Sequence, residues 1–386
     1  MRRMLRTSVP AVVAVALFCS YDAVGEGQAP KSSRPVPTFQ VDTTWPPALP
    51  NNWVMGDPSS VTVDTRDHVY VLQRPRTVPE AQRSNAAPAV LEFDPSGKFV
   101  RGWGGPADGY DWPDTEHGIF ADYGNNIWIG GNNPIAQVRL TTRSDDMLLK
   151  FTNAGKFLLQ IGGRDKSQGN KDMVNPKEPA DVFVHRKTNE AFVADGYGNR
   201  RVMVLDAKTG KFKRMWGAFG NAPLDPPPPP PAGAAPAAAA PPKLETEGRG
   251  PQQFGIVHGI KVSDDGFVYV ADRGNRRVQV FTLDGKYVKQ GFVNRSGPSP
   301  NSAAGLSFSP DKQQQFLYVA DFGNGQVVIL DRQSLETIGS IGSRGSKPGE
   351  FQNLHHIAVD SRGNLYGAEV APGRRVQRFR FTGMSK

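Results

Sequence analysis

Residues 254–290, FGIVHGIKVSDDGFVYVADRGNRRVQVFTLDGKYVKQ, contain a complete structural unit of the chain. Short runs rich in Val, Phe and Tyr alternate in polarity at 258–262, 267–272, 276–282 and 286–290. Asp-Gly and Gly-Asn pairs, which are typical turn residues, separate these runs. The pattern therefore predicts four consecutive antiparallel strands joined by tight turns.

Variants of this unit recur along the chain. The junction between its second and third strands reappears as VADGYGNRRVMVLD (193–206) and VADFGNGQVVILD (319–331). A degenerate copy spans 367–381, and two more divergent copies span 69–97 and 127–155. Six units spaced about 45–50 residues apart predict an all-β fold, a six-bladed β-propeller with four strands in each blade.

The last unit supplies only three strands, and residues 39–43 (FQVDT) precede the first unit without a partner. We expect these two segments to pair, because pairing closes the ring and covers its free edges. The propeller is then a single domain over residues 39–386, after a flexible lead at 26–38. A Pro- and Ala-rich segment at 222–250 falls between blades 3 and 4. Its composition favours a surface loop, and partner docking through polyproline is the alternative.

The first 25 residues have the organisation of a secretory signal peptide. Three Arg precede a short apolar run, and small residues follow it. The run is too short for a membrane span, and Phe18 before the single Cys19 argues against a lipoprotein. We therefore expect export by a cleaved signal peptide to the periplasm or the extracellular space. The net charge of +9 is dispersed along the chain, so nucleic acid is not an expected partner. The sequence gives no indication of the oligomeric state.

Three histidines share one position of the repeat, in the first strands of alternate blades. They are His117, His258 and His355 in blades 2, 4 and 6, and small residues (Ser59, Ala180 and Ala304) occupy that position in blades 1, 3 and 5. The first strands of a propeller line its central channel, so three imidazoles are expected to converge on the axis. Three neutral imidazoles with an open fourth position suit Zn²⁺, whereas hydrogen-bonded core histidines are the alternative interpretation. A regular pleat would turn His356 to the opposite face from His355.

Three further residues are candidates for chemistry near the channel mouth. Tyr197 enters the ADGYGNRR turn of blade 3 through a one-residue insertion, while Arg74 and Arg273 lie where the second strands of blades 1 and 4 end. Arg at a metal-bearing mouth suits a substrate with a carboxylate. Solvated loop arginines and a packing role for the tyrosine are the alternatives.

Together these motifs resemble two related groups. GEFQNLHHIAVDSRGNLYG (349–367) is similar to the NHL repeat family, and the three histidines with the Asp-Gly-Tyr-x-Asn-x-Arg turn resemble the peptidyl-α-hydroxyglycine α-amidating lyases. The second resemblance implies zinc on His117, His258 and His355, with Tyr197 and Arg74 catalytic and Arg273 binding substrate. The implied reaction cleaves the C–N bond of an α-hydroxyglycine to give an amide and glyoxylate. The expected substrate is a peptide or a small molecule that carries a carboxylate.

The chain also departs from that family. The resemblance implies a structural calcium held in part by an Asp after the third His, but His356 occupies that position here. Asn353 stands where the family has a Met, and no disulfide can form. Two other functions are compatible with the same pattern. One is a non-catalytic NHL propeller that binds protein or glycan ligands, and the other is a different metal-dependent propeller hydrolase.

Overall fold

A computed structural model describes residues 34–133, 143–225 and 248–385. These residues form 24 strands and five short 3₁₀ segments, with no α-helix among them. The 3₁₀ segments are Pro50–Asn52, Pro75–Thr77, Glu80–Asn85, Ala218–Gly220 and Arg273–Asn275. No helix in the described ranges is long and apolar enough to cross a membrane.

The strands form six four-stranded antiparallel sheets, one for each blade. Blade 1 contains β2 (Asp57–Val63), β3 (Val69–Arg74), β4 (Val90–Phe93) and β5 (Phe99–Trp103), after the closing strand β1 (Pro37–Asp42). Blade 2 contains β6 (Glu116–Ala121), β7 (Ile127–Gly131), β8 (Met147–Phe151) and β9 (Phe157–Gly162). Blade 3 contains β10 (Asp181–His185), β11 (Glu190–Asp195), β12 (Arg201–Asp206) and β13 (Phe212–Trp216).

The second half of the ring repeats this arrangement. Blade 4 contains β14 (Val257–Val262), β15 (Phe267–Asp272), β16 (Arg277–Thr282) and β17 (Tyr287–Phe292). Blade 5 contains β18 (Ala303–Phe308), β19 (Phe316–Asp321), β20 (Gln326–Asp331) and β21 (Thr337–Ile341). Blade 6 contains β22 (Asn353–Val359), β23 (Leu365–Val370) and β24 (Arg375–Met384).

The ring closes as the sequence predicts. Strand β1 pairs antiparallel with β24, with Val41 opposite Phe379, and becomes the outermost strand of blade 6. The first strands of successive blades contact one another in order, and β22 contacts β2. The six-bladed propeller and its closure by an N-terminal strand are therefore confirmed. Strand β1 begins at Pro37, two residues before its predicted start and within the predicted flexible lead.

The hydrophobic core lies between adjacent blades. One cluster joins Phe192 and Trp216 of blade 3 to Val257 and Phe281 of blade 4, and equivalent clusters fill the other contacts. Phe192, Val257 and Phe281 come from inner strands that are buried on both faces, because each sheet is covered by a blade on either side. Trp216 instead comes from the partly exposed outermost strand β13. Such packing fixes the first strands around the axis, where the candidate site lies.

Two predicted segments fall partly or wholly outside the described residues. The predicted signal peptide lies within residues 1–33, and most of the Pro- and Ala-rich insertion lies within 226–247. Chain order places this insertion between β13 and β14, the last strand of blade 3 and the first strand of blade 4.

Candidate metal centre and substrate cavity

Three imidazoles meet on the propeller axis. His117, His258 and His355 lie on β6, β14 and β22, and their ring centroids are 4.6 to 4.9 Å apart. The Nε2 atoms of His258 and His355 are 3.2 Å apart. Two nitrogens bound to one tetrahedral ion at 2.0–2.1 Å would be about 3.3 Å apart. This pair of nitrogens therefore already has the separation that two ligands of one ion require.

The surroundings keep these imidazoles neutral. All three side chains are almost completely buried, and burial lowers their pKa values well below the usual histidine value. Nδ1 of His117 is 2.7 Å from the carbonyl oxygen of Ala180, and Nδ1 of His355 is 2.6 Å from that of Ser59. A carbonyl can only accept, so each Nδ1 carries the proton and each Nε2 keeps its lone pair for a metal.

The glycine that follows His117, and the one that follows His258, let the first strand of the next blade approach closely. A Cβ atom on Gly118 would lie 2.3 Å from the carbonyl oxygen of Ala180, the acceptor of the His117 proton. A Cβ atom on Gly259 would lie 2.4 Å from the carbonyl oxygen of Ala304. The His-Gly pairs of blades 2 and 4 are thus required by close packing of adjacent first strands. The carbonyl groups in these contacts belong to Ala180 of blade 3 and Ala304 of blade 5, the small residues at the repeat position of the histidines.

His356 does not follow the predicted orientation. The prediction that it faces away from His355 is wrong, because the register of β22 against β23 shifts between Leu354 and His356. This irregularity interrupts the alternation of side chains. The ring of His356 stacks on that of His258 at 5.0 Å, and its Nδ1 lies 3.0 Å from the Ser59 carbonyl oxygen. Four imidazoles, not three, therefore fill the axis.

His356 also belongs to a possible ligand set, since one ring nitrogen from each of His117, His355 and His356 lies within 4.8 Å of the others. The geometry favours His258 over His356 as the third ligand. His356 Nδ1 lies 3.1 Å from Nδ1 of His355, which is already directed at Ser59. Nε2 of His355, the nitrogen with the free lone pair, instead meets Nε2 of His258. No comparable set of three ring nitrogens that includes His258 is found among the described residues. The His258–His355 contact and the repeat position of His258 are therefore what favour His117, His258 and His355 as the ligands of the candidate metal position.

The turn that carries Tyr197 is clamped by a buried ion pair. Asp195 ends β11 and accepts hydrogen bonds from Nε of Arg201 at 2.7 Å and from the Asn199 amide at 2.8 Å. The side chains of Asp195 and Arg201 are both fully buried. Gly196 lets the turn approach blade 4, since a Cβ atom there would be 2.1 Å from the Val257 carbonyl oxygen. This approach brings Tyr197 beside the strand that carries His258.

Blade 4 repeats the same clamp and so positions Arg273. Asp272 accepts hydrogen bonds from Nε of Arg277 at 2.9 Å and from Asn275 at 2.7 Å. Arg273 follows Asp272 in a 3₁₀ turn, and its guanidinium lies 4.6 Å from the centre of the Phe322 ring. Asp-x-x-Asn-x-Arg in blade 4, and its one-residue-longer form Asp-x-x-x-Asn-x-Arg in blade 3, therefore build the turns that carry Arg273 and Tyr197.

A cavity of about 630 Å³ opens above the histidines at one mouth of the channel. The sequence-predicted residues that line it are Arg74, Tyr197, Arg273 and His355. The other lining residues are Asp57, Thr77, Thr115, Asn132, Asn301, Phe322, Asn353, Val370, Ala371 and Arg374. His117 and His258 are not among the lining residues and lie beneath, on the axis.

Hydrogen bonds connect the cavity residues to the histidines. The Tyr197 hydroxyl is 3.0 Å from Nε2 of His117 and accepts a hydrogen bond of 2.9 Å from Arg273. Arg74 donates from Nε to the carbonyl oxygen of Glu116, the residue before His117, at 2.8 Å. The structure thus brings all six sequence-predicted site residues into one region. A phenol oxygen and two guanidinium groups lie next to the candidate metal position.

Sequence reasoning missed several residues of this cavity. Arg374 stands at the repeat position of Arg276 in blade 4, and Phe322 follows VAD in blade 5 as Arg273 does in blade 4. Overlaying these turns could have identified both residues. Asp57 and Asn301 lie at or just before the first strand of a blade, where the sequence offers no comparable signal.

Residues 254–281 match the model of the NHL repeat. The chain contains an NHL repeat within a six-bladed propeller. This NHL-type propeller is similar to NHL repeat-containing protein 3 of Mus musculus, with 26% identity covering 89% of this chain and 84% of the mouse protein. It is also similar to the probable peptidyl-alpha-hydroxyglycine alpha-amidating lyase pgal-1 of Caenorhabditis elegans, with 23% identity over 68% of this chain and 63% of that protein.

A third relative is peptidyl-glycine alpha-amidating monooxygenase A of Xenopus laevis, 26% identical over 65% of the NHL-type propeller. The match covers 24% of the Xenopus protein, about a quarter of its length. Among solved structures, a streptogramin B lyase structure superposes with a TM-score of 0.50 at 12% identity, covering 90% of this chain and 98% of that one. This last likeness concerns the fold alone. Two of the three sequence relatives are named as amidating enzymes, and the first is named only for its NHL repeats.

Proposed function

We propose that the protein is a zinc-dependent carbon–nitrogen lyase. Its substrate is an α-hydroxyglycine-type carbinolamide, and its products are an amide and glyoxylate. The observation that carries this proposal is the convergence of three neutral, buried imidazoles directly beneath a cavity lined by Tyr197, Arg74 and Arg273. Similarity to amidating lyases supports the same reaction class.

The donor set fits zinc. His117, His258 and His355 would hold the ion through Nε2, and three imidazoles with one open position are a common catalytic zinc environment. The carbonyl groups of Ala180 and Ser59 fix the ring orientations of His117 and His355 from behind, whereas the buried Nδ1 of His258 has no hydrogen-bond partner among the described residues. Zinc bound there would supply Lewis-acid polarisation of an oxygen placed at its open position.

The residues of this chain supply the proton transfer and the orientation of the substrate. Arg74 would bind the substrate carboxylate through its terminal nitrogens, because its Nε is already engaged by Glu116. Tyr197, acting as a phenolate, would accept the proton of the substrate hydroxyl, and the Arg273 guanidinium, 2.9 Å from its oxygen, would stabilise the phenolate before this transfer. As the carbon–oxygen double bond of glyoxylate forms, the carbon–nitrogen bond breaks. The proton then passes from Tyr197 to the departing amide nitrogen, so atoms and charges balance.

The residues do not fit a structural calcium at the position that the family resemblance implies. Calcium prefers oxygen ligands, but the side chain after the third metal histidine is the imidazole of His356. Its Nδ1 lies 3.0 Å from the Ser59 carbonyl oxygen. No step of the proposed reaction depends on calcium.

The proposal is tested by measuring zinc content and glyoxylate release on the same preparations. The wild-type protein should bind about one zinc ion per chain and release glyoxylate from an N-acyl-α-hydroxyglycine. His258→Ala should lose both properties. His185→Asn is the control, because His185 ends β10 and bonds Thr188, away from the candidate metal position. Wild-type protein that purifies without zinc and does not bind added zinc would contradict the proposal.

A second candidate function is supported by the similarity to NHL repeat-containing protein 3. In this proposal the propeller binds a protein or glycan without catalysis, and the histidines are only a structural cluster. Zinc at unit stoichiometry together with glyoxylate release would exclude it. Zinc without glyoxylate release, together with hydrolysis of an ester or lactone, would instead support another metal-dependent propeller hydrolase.

Export remains a separate proposal. The basic and apolar pattern of residues 1–25 supports cleavage by a signal peptidase and delivery to the periplasm or outside the cell. Determination of the N-terminus of the protein expressed in a secreting host tests it. A chain that retains residues 1–25 would contradict the proposal.

A further inference from the structure

The substrate cavity carries more positive charge than one carboxylate needs. Arg74, Arg273 and Arg374 line it from blades 1, 4 and 6, and Asp57 is the one carboxylate among its described lining residues. The proposed reaction assigns a substrate carboxylate to Arg74 and a supporting role beside Tyr197 to Arg273. It assigns nothing to Arg374.

Arg374 stands at the same turn position as Arg276 of blade 4. Both residues have positive φ, 50° and 54°, and both precede an Arg that pairs with an acidic side chain of the second strand. Arg277 pairs with Asp272 and Arg375 pairs with Glu369. The two arginines therefore occupy equivalent positions at the ends of their turns, although the blade 6 turn is one residue longer.

The two guanidinium groups are nevertheless used differently. Arg276 is buried, and its Nη1 donates to the carbonyl oxygens of Asn294, Arg295 and Gly297. The Arg374 side chain is 45% exposed, and its only recorded ion pair joins Nε to Asp57 at 3.0 Å. Its two terminal nitrogens make no hydrogen bond among the described residues. A structural role thus accounts for Arg276, whereas Arg374 presents two unused donors at the cavity.

Asp57 holds Arg374 next to the arginine already assigned to substrate. It is the ladder partner of Arg74 across β2 and β3, and its amide donates to the Thr77 hydroxyl at 2.7 Å. The Asp57 carboxylate therefore pairs with Arg374 at a position next to Arg74 in the sheet, and three guanidinium groups against one carboxylate leave an excess of positive charge in the lining. Phe322, Val370 and Ala371 contribute apolar lining beside these charged groups. The charged groups, not the apolar surface, therefore carry the inference that follows.

We propose that Arg374 binds a second acidic group of the substrate, on the acyl side of the scissile carbon–nitrogen bond. This inference rests on the proposed lyase function and makes it more specific. The preferred substrate is then a dianionic N-acyl-α-hydroxyglycine, with one carboxylate at Arg74 and the other at Arg374. A guanidinium group and a carboxylate can pair through two parallel hydrogen bonds.

A matched pair of substrates tests this specificity. N-succinyl-α-hydroxyglycine and N-(4-methylpentanoyl)-α-hydroxyglycine differ only by a terminal carboxylate in place of an isopropyl group of similar shape. The wild-type protein should favour the succinyl compound by about 10-fold to 100-fold in kcat/KM, the range expected for one charge-assisted contact. Arg374→Ala should lose that preference through a higher KM for the succinyl compound, with kcat largely kept. Arg362→Ala, at an exposed position outside this cavity, is the control.

Binding of the corresponding N-acylglycines, which lack the hydroxyl and cannot react, separates this inference from the proposed reaction. Calorimetry should show that N-succinylglycine binds more tightly than N-(4-methylpentanoyl)glycine, and that Arg374→Ala removes the difference. Absence of glyoxylate release with this binding preference intact would overturn the lyase proposal alone. Equal affinity of both compounds for the wild-type protein, or a preference that survives Arg374→Ala, would overturn the role of Arg374.

Discussion

Replacing Gly118 by Ala should weaken zinc binding although no ligand is removed. The added Cβ atom would lie 2.3 Å from the Ala180 carbonyl oxygen and 3.1 Å from the Cα of Asp181. A relaxed carbon–oxygen contact is about 3.3 Å or more, so the carbonyl must move by roughly 1 Å. That carbonyl accepts the His117 Nδ1 proton at 2.7 Å. A shift of this size breaks or strains the hydrogen bond that orients the ring.

The expected magnitude follows from two costs. Loss of a partner that orients a metal-bound histidine typically lowers metal affinity about 10-fold to 100-fold. Forcing one extra carbon into a packed interior costs about 1–3 kcal/mol of folding stability. Gly291→Ala is the matched control, since its Cβ would lie 2.9 Å from the Leu335 carbonyl oxygen in the outer part of the ring. It should cost similar stability and leave zinc affinity unchanged.

Competition with a chelator of known zinc affinity measures the first effect, and denaturant unfolding of the metal-free proteins measures the second. We expect only Gly118→Ala to release zinc at lower chelator concentration. If the two variants were equally destabilised and bound zinc as tightly as wild type, the carbonyl of Ala180 would not position His117. The explanation given above for the His-Gly pair would then be wrong.

Two other substitutions test the site and the electrostatics of the scaffold. Tyr197→Phe should lower kcat for glyoxylate release by about 10²-fold to 10⁴-fold with zinc content unchanged. Tyr123→Phe, which changes an exposed phenol, is the control and should leave kcat unchanged. Retained activity in Tyr197→Phe would exclude the phenol as the base. Hydrogen bonds from Arg214 lower the pKa of Glu190 from 4.5 to about 2, so its stabilisation is present above pH 4.5 and is lost as the pH falls toward 2. Because solvent screens this partly exposed ion pair, Glu190→Gln should cost about 1–2 kcal/mol of unfolding free energy at pH 7 and less than half of that at pH 3. An equal loss at both pH values in urea unfolding would refute this assignment.

The repeat in the sequence predicts the fold because it carries both strand periodicity and turn chemistry. Once six copies are aligned, the ring follows, and the shared position of His117, His258 and His355 follows with it. The clamps around Asp195 and Asp272 are also visible in the sequence, as Asp-x-x-x-Asn-x-Arg in blade 3 and Asp-x-x-Asn-x-Arg in blade 4. These features depend on local sequence alone, so sequence reasoning could reach them.

The features that escaped prediction depend on local irregularities and on neighbouring blades. His356 faces the axis because the register shifts within β22, and two adjacent histidines give no sign of such a shift. Arg374 and Arg276 occupy equivalent positions at the ends of their turns, and only the surroundings decide which guanidinium is covered by backbone carbonyls. Asp57 reaches Arg374 across the junction of blades 1 and 6, a contact between residues far apart in sequence.

The pairing of β1 with β24 has a consequence for the order of events in folding. This pair connects segments more than 330 positions apart, as the bond between Asp42 and Arg378 shows. Contacts of such long sequence separation carry a large loop-closure entropy and tend to form slowly. The Ser59 carbonyl that orients His355 lies across the same seam, between the first and last blades. A chain still lacking its final strand would therefore hold an incomplete metal pocket, and tight zinc uptake would mark the moment at which the ring has closed.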